Sequence, residues 1–303
     1  MSAPVLVTGA TGLVGRRLTR ALVTDRVPVR AVTRSPASAR FGAGIEAVAW
    51  DGVRVPAAQL AGCAAVVHLA GEPVFTGLLT PARRERIRAS RVASTRALVA
   101  ALAELPPGER PAAFVCASAV GYYGSRGEEE LVESAPPGRG FLADVCVAWE
   151  EAARAAEQHG VRTVSLRIGV VLAREGGALV PMRQAFRFGL GGRFGDGRQW
   201  FPWIQADDLV AMIRAAIDDP RWRGAVNAVG PTPVRNADLV RALAAAVHRP
   251  ALLPVPAFAL RTILGELSDE LLGSRRVVPA QATALGFRFH APTLERALEA
   301  ELG

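Results

Sequence analysis

An apolar run, Val5-Leu6-Val7, leads directly into Thr8-Gly9-Ala10-Thr11-Gly12-Leu13-Val14-Gly15. A glycine-rich turn between a strand and a helix lets backbone N–H groups approach a pyrophosphate, and the helix N-terminus adds positive potential. The spacing, Gly9-x-x-Gly12-x-x-Gly15, is a variant of G-x-G-x-x-G, and an ordinary glycine turn in an α/β protein can carry the same letters. Context adds the specificity: Val14, Leu18 and Leu22 recur at i, i+4 and i+8, the apolar stripe of a helix lying on a sheet. The expectation is a bound dinucleotide contacted by Gly9, Thr11, Gly12, Leu13 and Val14.

Composition limits the alternatives. The 303 residues are 50% hydrophobic, enough for one large α/β domain or a domain with a smaller partner. Cys63, Cys116 and Cys146 are odd in number and sit mostly in apolar runs, which predicts reduced thiols in a cytoplasmic protein. No apolar stretch approaches the ~20 residues needed to span a bilayer, so no membrane partner is expected. The net charge of +8 invites a nucleic-acid reading, but all 36 basic residues are arginine and none is lysine. That uniformity resembles a coding bias more than a phosphate-binding surface. The densest basic segment, Arg83 to Arg91, is interrupted by Glu85 and lacks interleaved aromatics for base stacking. It reads as a solvated helix face, with an anionic-ligand contact as the alternative and no nucleic-acid partner.

Downstream, Val29 to Val32, Ala47 to Trp50, Ala64 to Leu69, Ala113 to Cys116 and Thr163 to Ile168 read as strands, with helical patterns at about 82–103 and 142–158. This alternation predicts an α/β fold, a Rossmann-like, doubly wound parallel sheet with right-handed crossovers. Past Ala173 the pattern loosens. A glycine-rich stretch, 189–197, leads to Trp200, Phe201 and Trp203, which are candidates for a substrate-pocket wall or for lobe packing. Asp207 and Asp208 are N-cap candidates for a helix over 209–217, and Ala225 to Val229 reads as a strand returning to the sheet. Helices follow at about 236–247 and 257–272, then Gly286-Phe287-Arg288-Phe289 and a last helix from Thr293. The predicted division is a dinucleotide-binding domain, 1–173 with 207–230, and a small, mostly helical substrate-binding lobe, 174–206 with 231–303. Such a lobe would lie over the sheet's carboxyl edge, where ligands bind in these folds.

An acidic residue about 20 positions past the glycine turn bonds the ribose 2′-hydroxyl of NAD, whereas an arginine there accommodates a 2′-phosphate. Here the second strand is followed by Thr33-Arg34-Ser35. The expected cofactor is therefore NADP, with NAD as the alternative, and Arg34 and Ser35 at the phosphate.

The chain resembles extended or atypical short-chain dehydrogenases/reductases, and more closely the NAD-dependent epimerase/dehydratase-like group carrying a C-terminal domain of unknown function with a GFRF-type tail. Besides the glycine turn, the resemblance rests on Trp50-Asp51, His68-Leu69-Ala70-Gly71, Ser118 to Gly124, Leu166 to Val170, and Gly197 to Leu209, which together span nearly the full length. It implies Asp51 beside the adenine, cofactor contacts at Leu69, Ala70, Gly71, Ile168 and Gly169, and a mainly structural Arg167. It also implies an arginine on a substrate diphosphate at Arg275-Arg276. Many relatives pair through helices of the sheet domain, so monomer and homodimer both stand.

The same resemblance exposes a gap. Short-chain dehydrogenases use a Tyr-x-x-x-Lys pair, in which the lysine lowers the phenol's pKa and a serine orients the substrate oxygen. This chain has no lysine, and Tyr122 and Tyr123 are its only tyrosines. Counting back from Glu150, the pair's positions fall near Leu142 and Cys146. Ser118 falls at the family's catalytic serine, able to polarise a carbonyl, and Tyr122 or Tyr123 could deliver a proton from the same loop, though a free phenol has a pKa near ~10. The catalytic candidates are thus Ser118 and Tyr122, and His68 reads as backbone geometry rather than acid-base chemistry. No HExxH, CxxC or clustered carboxylate spacing suggests a metal, and Glu128 to Glu130 read as solvated surface. Three functions follow: an NADP-dependent oxidoreductase or epimerase-like enzyme acting on a small polar substrate, a non-catalytic dinucleotide sensor, and a nucleotide-sugar epimerase.

Overall fold

The computed structural model describes residues 3–303 apart from Ser38, Arg40, Leu252 and Leu253. Its centre is a seven-stranded sheet of β1 (Val5–Thr8), β2 (Val29–Thr33), β3 (Ile45–Ala49), β4 (Ala65–His68), β5 (Ala113–Ala119), β6 (Arg162–Ile168) and β7 (Gly224–Ala228). The spatial order is β3-β2-β1-β4-β5-β6-β7, and every neighbouring pair is parallel. The order reverses between β1 and β4, so the cleft of a doubly wound sheet opens at their carboxyl ends. Both of those strands are buried along their whole length, because helices cover both faces.

The strand period of two divides the core. Val5 and Val7 point to one face, where helix α1 (Leu13–Thr24) brings Leu18 and Leu22; Leu6 points to the other. That second face is covered by α3 (Ser94–Glu104) and α4 (Phe141–Arg154), with Leu98, Phe114 and Trp149 buried, and α2 (Pro81–Arg88) runs into α3. The single helix expected over 82–103 is instead two, joined by a π-turn at Ala89–Ala93. The cause is local: the hydroxyls of Ser90, Ser94 and Thr95 donate to carbonyls three or four residues back, at 2.9, 2.7 and 2.6 Å, and compete with the helical ladder.

Beyond β6 the chain builds small sheets. Val170–Ala173 pairs in parallel with Trp203–Gln205, and Trp200–Phe201 pairs antiparallel with Val234–Arg235. Helices α5 (Leu179–Arg187), α6 (Ala206–Asp218) and α7 (Asn236–Ala246) follow; α6 packs on α1 across the first face, and α5 and α7 help enclose a separate core around Phe201, Trp203 and Leu239. The helix expected over 257–272 is interrupted at Gly265, whose φ of +56° ends α8 (Ala257–Leu264) before α9 (Ser268–Leu272) begins. Arg276–Val277 then pairs with Glu130–Leu131 from the loop after β5, ahead of α10 (Ala280–Ala284) and α11 (Leu294–Leu302). A knot of ion pairs ties the last helix to the first: Arg17 of α1 pairs with the buried Glu301 of α11 at 2.8 Å, and also with the exposed Glu175 and Asp207. Among the described residues, no helix is long and apolar enough to cross a membrane.

Candidate functional site

The glycine turn forms as its sequence requires. Gly9 has φ +68°, and a Cβ there would stand 2.8 Å from the Leu69 carbonyl carbon, so only glycine lets β1 and β4 carry their loops this close. Gly15 is held still tighter, its would-be Cβ 2.2 Å from Gly9 O. Gly12 is the N-cap of α1, and no side chain caps that helix. The first amides, those of Leu13 and Val14, are therefore left to an outside acceptor. Thr8 Oγ1 lies 2.7 Å from His68 Nδ1 and accepts the amides of Leu69 and Ala70 at 3.2 and 3.3 Å. What this segment offers a ligand is thus its carbonyls and the exposed Gly71, not those two amides. Burial, with Arg91 adding to it, holds His68 down to about 3, so the imidazole is a neutral strut between Thr8 and Ser94.

A cleft of about 920 Å³ joins this turn to the loop after β2, lined by Ala10, Thr11, Arg16, Arg20, Arg34 and Ser35 among others. Arg16 and Arg20, one turn apart on the exposed face of α1, had no signal in the glycine motif. Among the described residues, neither they nor Arg34 make an ion pair. Trp50 N bonds Thr33 O at 2.9 Å and so sets Asp51 beside this loop. The amides of Val53 and Arg54 take Asp51 Oδ1 and hold its carboxyl below the usual range. Gly169, after β6, is another close approach: a Cβ would lie 2.7 Å from Pro202 O, while Ile168 packs against both sheet cores.

The β5–β6 end is organised differently. Ser118, expected to polarise a carbonyl, is buried and donates its hydroxyl proton to Glu150 Oε1 at 2.6 Å. Glu150 in turn holds Arg167 through Nε at 2.9 Å and Nη2 at 2.8 Å. Arg167 Nη1 reaches Tyr123 Oη at 2.9 Å, and that hydroxyl donates to Asn227 Oδ1 at 2.6 Å. Burial outweighs Arg167 and pushes the Tyr123 phenol up to about 12, so Tyr123 is an anchor. Tyr122 is half-buried, with Arg167 stacked 3.5 Å from its ring centroid, and its hydroxyl makes no hydrogen bond to the described residues.

Two other expectations change, those for Arg83 to Arg91 and for Arg275-Arg276, and two are made more specific. Arg83 and Arg91 do not belong to a solvated face: Arg83 is buried and donates to Pro73 O, Val74 O and Thr76, and Arg91 donates to Glu72 O and Ile87 O. These contacts, mostly to main-chain carbonyls, fasten the loop after β4. Arg275 is not open to a diphosphate either, because it is buried against Glu270 at 2.8 Å, and Arg276 pairs with Glu130 at 3.2 Å. Glu128 is exposed yet tied to Arg235 and Trp200 at 2.9 Å each. Trp203 is lobe core, its indole N–H donating to Thr232 O.

Around the empty Tyr/Lys positions lie charges from elsewhere in the chain. A Cβ on Gly71 would lie 3.3 Å from the Arg91 guanidinium carbon, and one on Gly121 would lie 3.8 Å from both Glu270 Oε2 and Leu142 Cβ. Burial pushes the Cys146 thiol up to about 12; Glu150 and Glu270 add to this and Arg91 opposes it.

The comparisons with known proteins agree with this architecture. Residues 5–229 match the model of the NAD dependent epimerase/dehydratase family, and residues 255–301 match a domain of unknown function, DUF1731. The chain is 40% identical to the chloroplastic epimerase family protein SDR39U1 homolog of Arabidopsis thaliana, covering 98% of this chain and 86% of that protein. Among solved structures, human epimerase family protein SDR39U1 (isoform 2) with NADPH aligns at TM-score 0.87 and 31% identity, over 99% of both chains. A nucleoside-diphosphate sugar epimerase from Corynebacterium glutamicum aligns at TM-score 0.82 and 35% identity, over 100% of this chain and 59% of that one. With three-quarters of its length inside the family model and the sheet order to match, the chain belongs to the NAD dependent epimerase/dehydratase family.

Proposed function

We propose that the protein binds NADP(H) and works as an oxidoreductase or epimerase-like enzyme on a small polar substrate. The carrying observation is the cleft that joins Ala10 and Thr11 of the glycine turn, just ahead of the uncapped N-terminus of α1, to Arg34. The cradle fits a dinucleotide: the Gly9 and Gly12 backbone and the amides of Leu13 and Val14 meet the diphosphate, with Thr11 at its edge. Arg34 and Ser35, joined by Arg16 and Arg20, meet a 2′-phosphate, and Asp51 the adenine. Leu69, Ala70, Gly71, Ile168 and Gly169 form the floor of the nicotinamide half. NAD is the alternative cofactor, and the NADPH of the human relative supports the phosphorylated form.

When bound, the nicotinamide supplies a hydride donor or acceptor. Ser118 serves as a positioning residue, locking Glu150 and through it Arg167. Tyr122, with its hydroxyl uncommitted, hydrogen-bonds the substrate oxygen. Residues 174–206 and 231–303 form the lobe that closes the substrate side, and three buried free thiols agree with a reducing, cytoplasmic setting. A second reading, a dinucleotide sensor without turnover, is favoured by the Ser118 hydroxyl being spent on Glu150.

Calorimetry tests the cofactor reading. NADPH should bind more tightly than NADH, and Arg34→Ala should lose about 10- to 100-fold for NADPH, the size of one charge-assisted hydrogen bond, with little change for NADH. No heat with either dinucleotide sinks it.

A further inference from the structure

With α4 carrying leucine and cysteine where a phenol and an ammonium are expected, the site has to draw its proton-transfer group from another part of the chain. The interrupted helix over 257–272 provides a carboxylate there. Gly265 turns the chain, α9 follows, and the pairing of Arg276–Val277 with Glu130–Leu131 draws it over the loop after β5. Glu270 then stands beside Gly121 and Leu142, with 22% of its side chain exposed. Its two oxygens are not equivalent. Oε1 accepts from Arg275 Nη2 at 2.8 Å, and the same guanidinium donates to the Glu270 carbonyl at 3.2 Å, which fixes the carboxylate plane. Oε2 accepts no hydrogen bond from the described residues. Of the other polar groups nearby, Ser118 is committed to Glu150 and Tyr123 to Asn227, while Tyr122, stacked on Arg167, keeps its hydroxyl for the substrate oxygen.

We propose that Glu270, held by Arg275, is the proton-transfer residue of this site and stands in for the phenol missing at Leu142. The proposal rests on the NADP(H) reading above. In alcohol oxidation the substrate O–H bond breaks and its proton forms a new O–H bond at Oε2. The C–H electron pair leaves as hydride for the oxidised nicotinamide, and a C=O bond remains. In reduction Oε2–H returns the proton to the carbonyl oxygen. Arg275 is the positioning residue, and Arg91, whose Nε and Nη2 make no hydrogen bond to the described residues, is the cation nearest to position 146.

The test compares the full-length protein with Glu270→Gln, which keeps an oxygen for Arg275. Both are titrated with NADPH, NADP+ and 2′,5′-ADP, which carries only the adenosine half. A carboxylate facing the nicotinamide end favours the cationic oxidised ring, so the variant should weaken NADP+ about tenfold relative to NADPH and leave 2′,5′-ADP unchanged. Any carbonyl compound that the unsubstituted protein reduces, from a panel including diacetyl and phenanthrenequinone, should be reduced about 100-fold more slowly by the variant, with partial retention in Glu270→Asp. An unchanged NADP+/NADPH ratio in a variant that still binds 2′,5′-ADP overturns the proposal and leaves the cofactor reading standing. Failure of the unsubstituted protein to bind NADPH removes both.

Discussion

At the β1–β2 end of the sheet's carboxyl edge the chain offers small residues, an uncapped helix and arginines that pair with no carboxylate among the described residues. At the β5–β6 end nearly every polar side chain is spoken for, in the run Ser118–Glu150–Arg167–Tyr123–Asn227. The first end is built to receive a ligand's charge, so its own groups are left wanting. The second is built to be rigid, and its buried charges neutralise each other. A single edge of one sheet thus separates an open, cationic end from a rigid one.

The contrast can be broken most forcefully at Glu150. Glu150→Ala strands Arg167 in the interior, and denaturant unfolding should show a loss of about 3–5 kcal/mol; a loss under about 1 kcal/mol would mean that the network is not rigid scaffolding. His68 comes next. Its folded pKa is lowered from 6.5 to about 3 by burial, so below pH 6.5 the unfolded chain takes up a proton that the native state refuses. Stability should fall as pH drops through that window, by about 2–3 kcal/mol between pH 6.5 and 4.5, and a stability profile of His68→Gln should be flatter there. At the binding end, Gly9→Ala forces a Cβ against Leu69 at positive φ, for a cost of about 1–3 kcal/mol and a loss of NADPH affinity read by fluorescence. The smallest effect is at Arg16. Arg16→Ala should weaken NADPH about three- to tenfold with the melting temperature unchanged, and an unaltered affinity would remove it from the phosphate site.

What could be read in advance follows the range of the interactions. The Gly9 turn, the stripe Val14-Leu18-Leu22 and the strands at Val5, Val29 and Val164 are set by residues within a turn or two of each other, and they form the doubly wound parallel sheet that such signals imply. That Arg34 lies on the same cleft as the glycine turn was legible because its distance from the turn is set by one strand–helix–strand unit. The fate of Ser118 was not, since its partner Glu150 lies 32 residues away on a facing helix and nothing local marks the pairing. The inward course of Arg91 is hidden for a related reason: it lies in an arginine-rich stretch, and its guanidinium reaches back 19 residues to Glu72 O as well as to Ile87 O. Glu270 was invisible, for its place depends on a two-residue strand pairing across the molecule.

The tie between Arg17 and Glu301 joins residues 284 positions apart. A ribosome has to deliver nearly the whole chain before the cofactor-binding helix gains Glu301, the buried one of the three carboxylates that hold Arg17, alongside Glu175 and Asp207. The nucleotide pocket near the start of the polypeptide therefore matures late, and premature termination should leave an emptied, protease-sensitive amino-terminal half rather than an autonomous binding module.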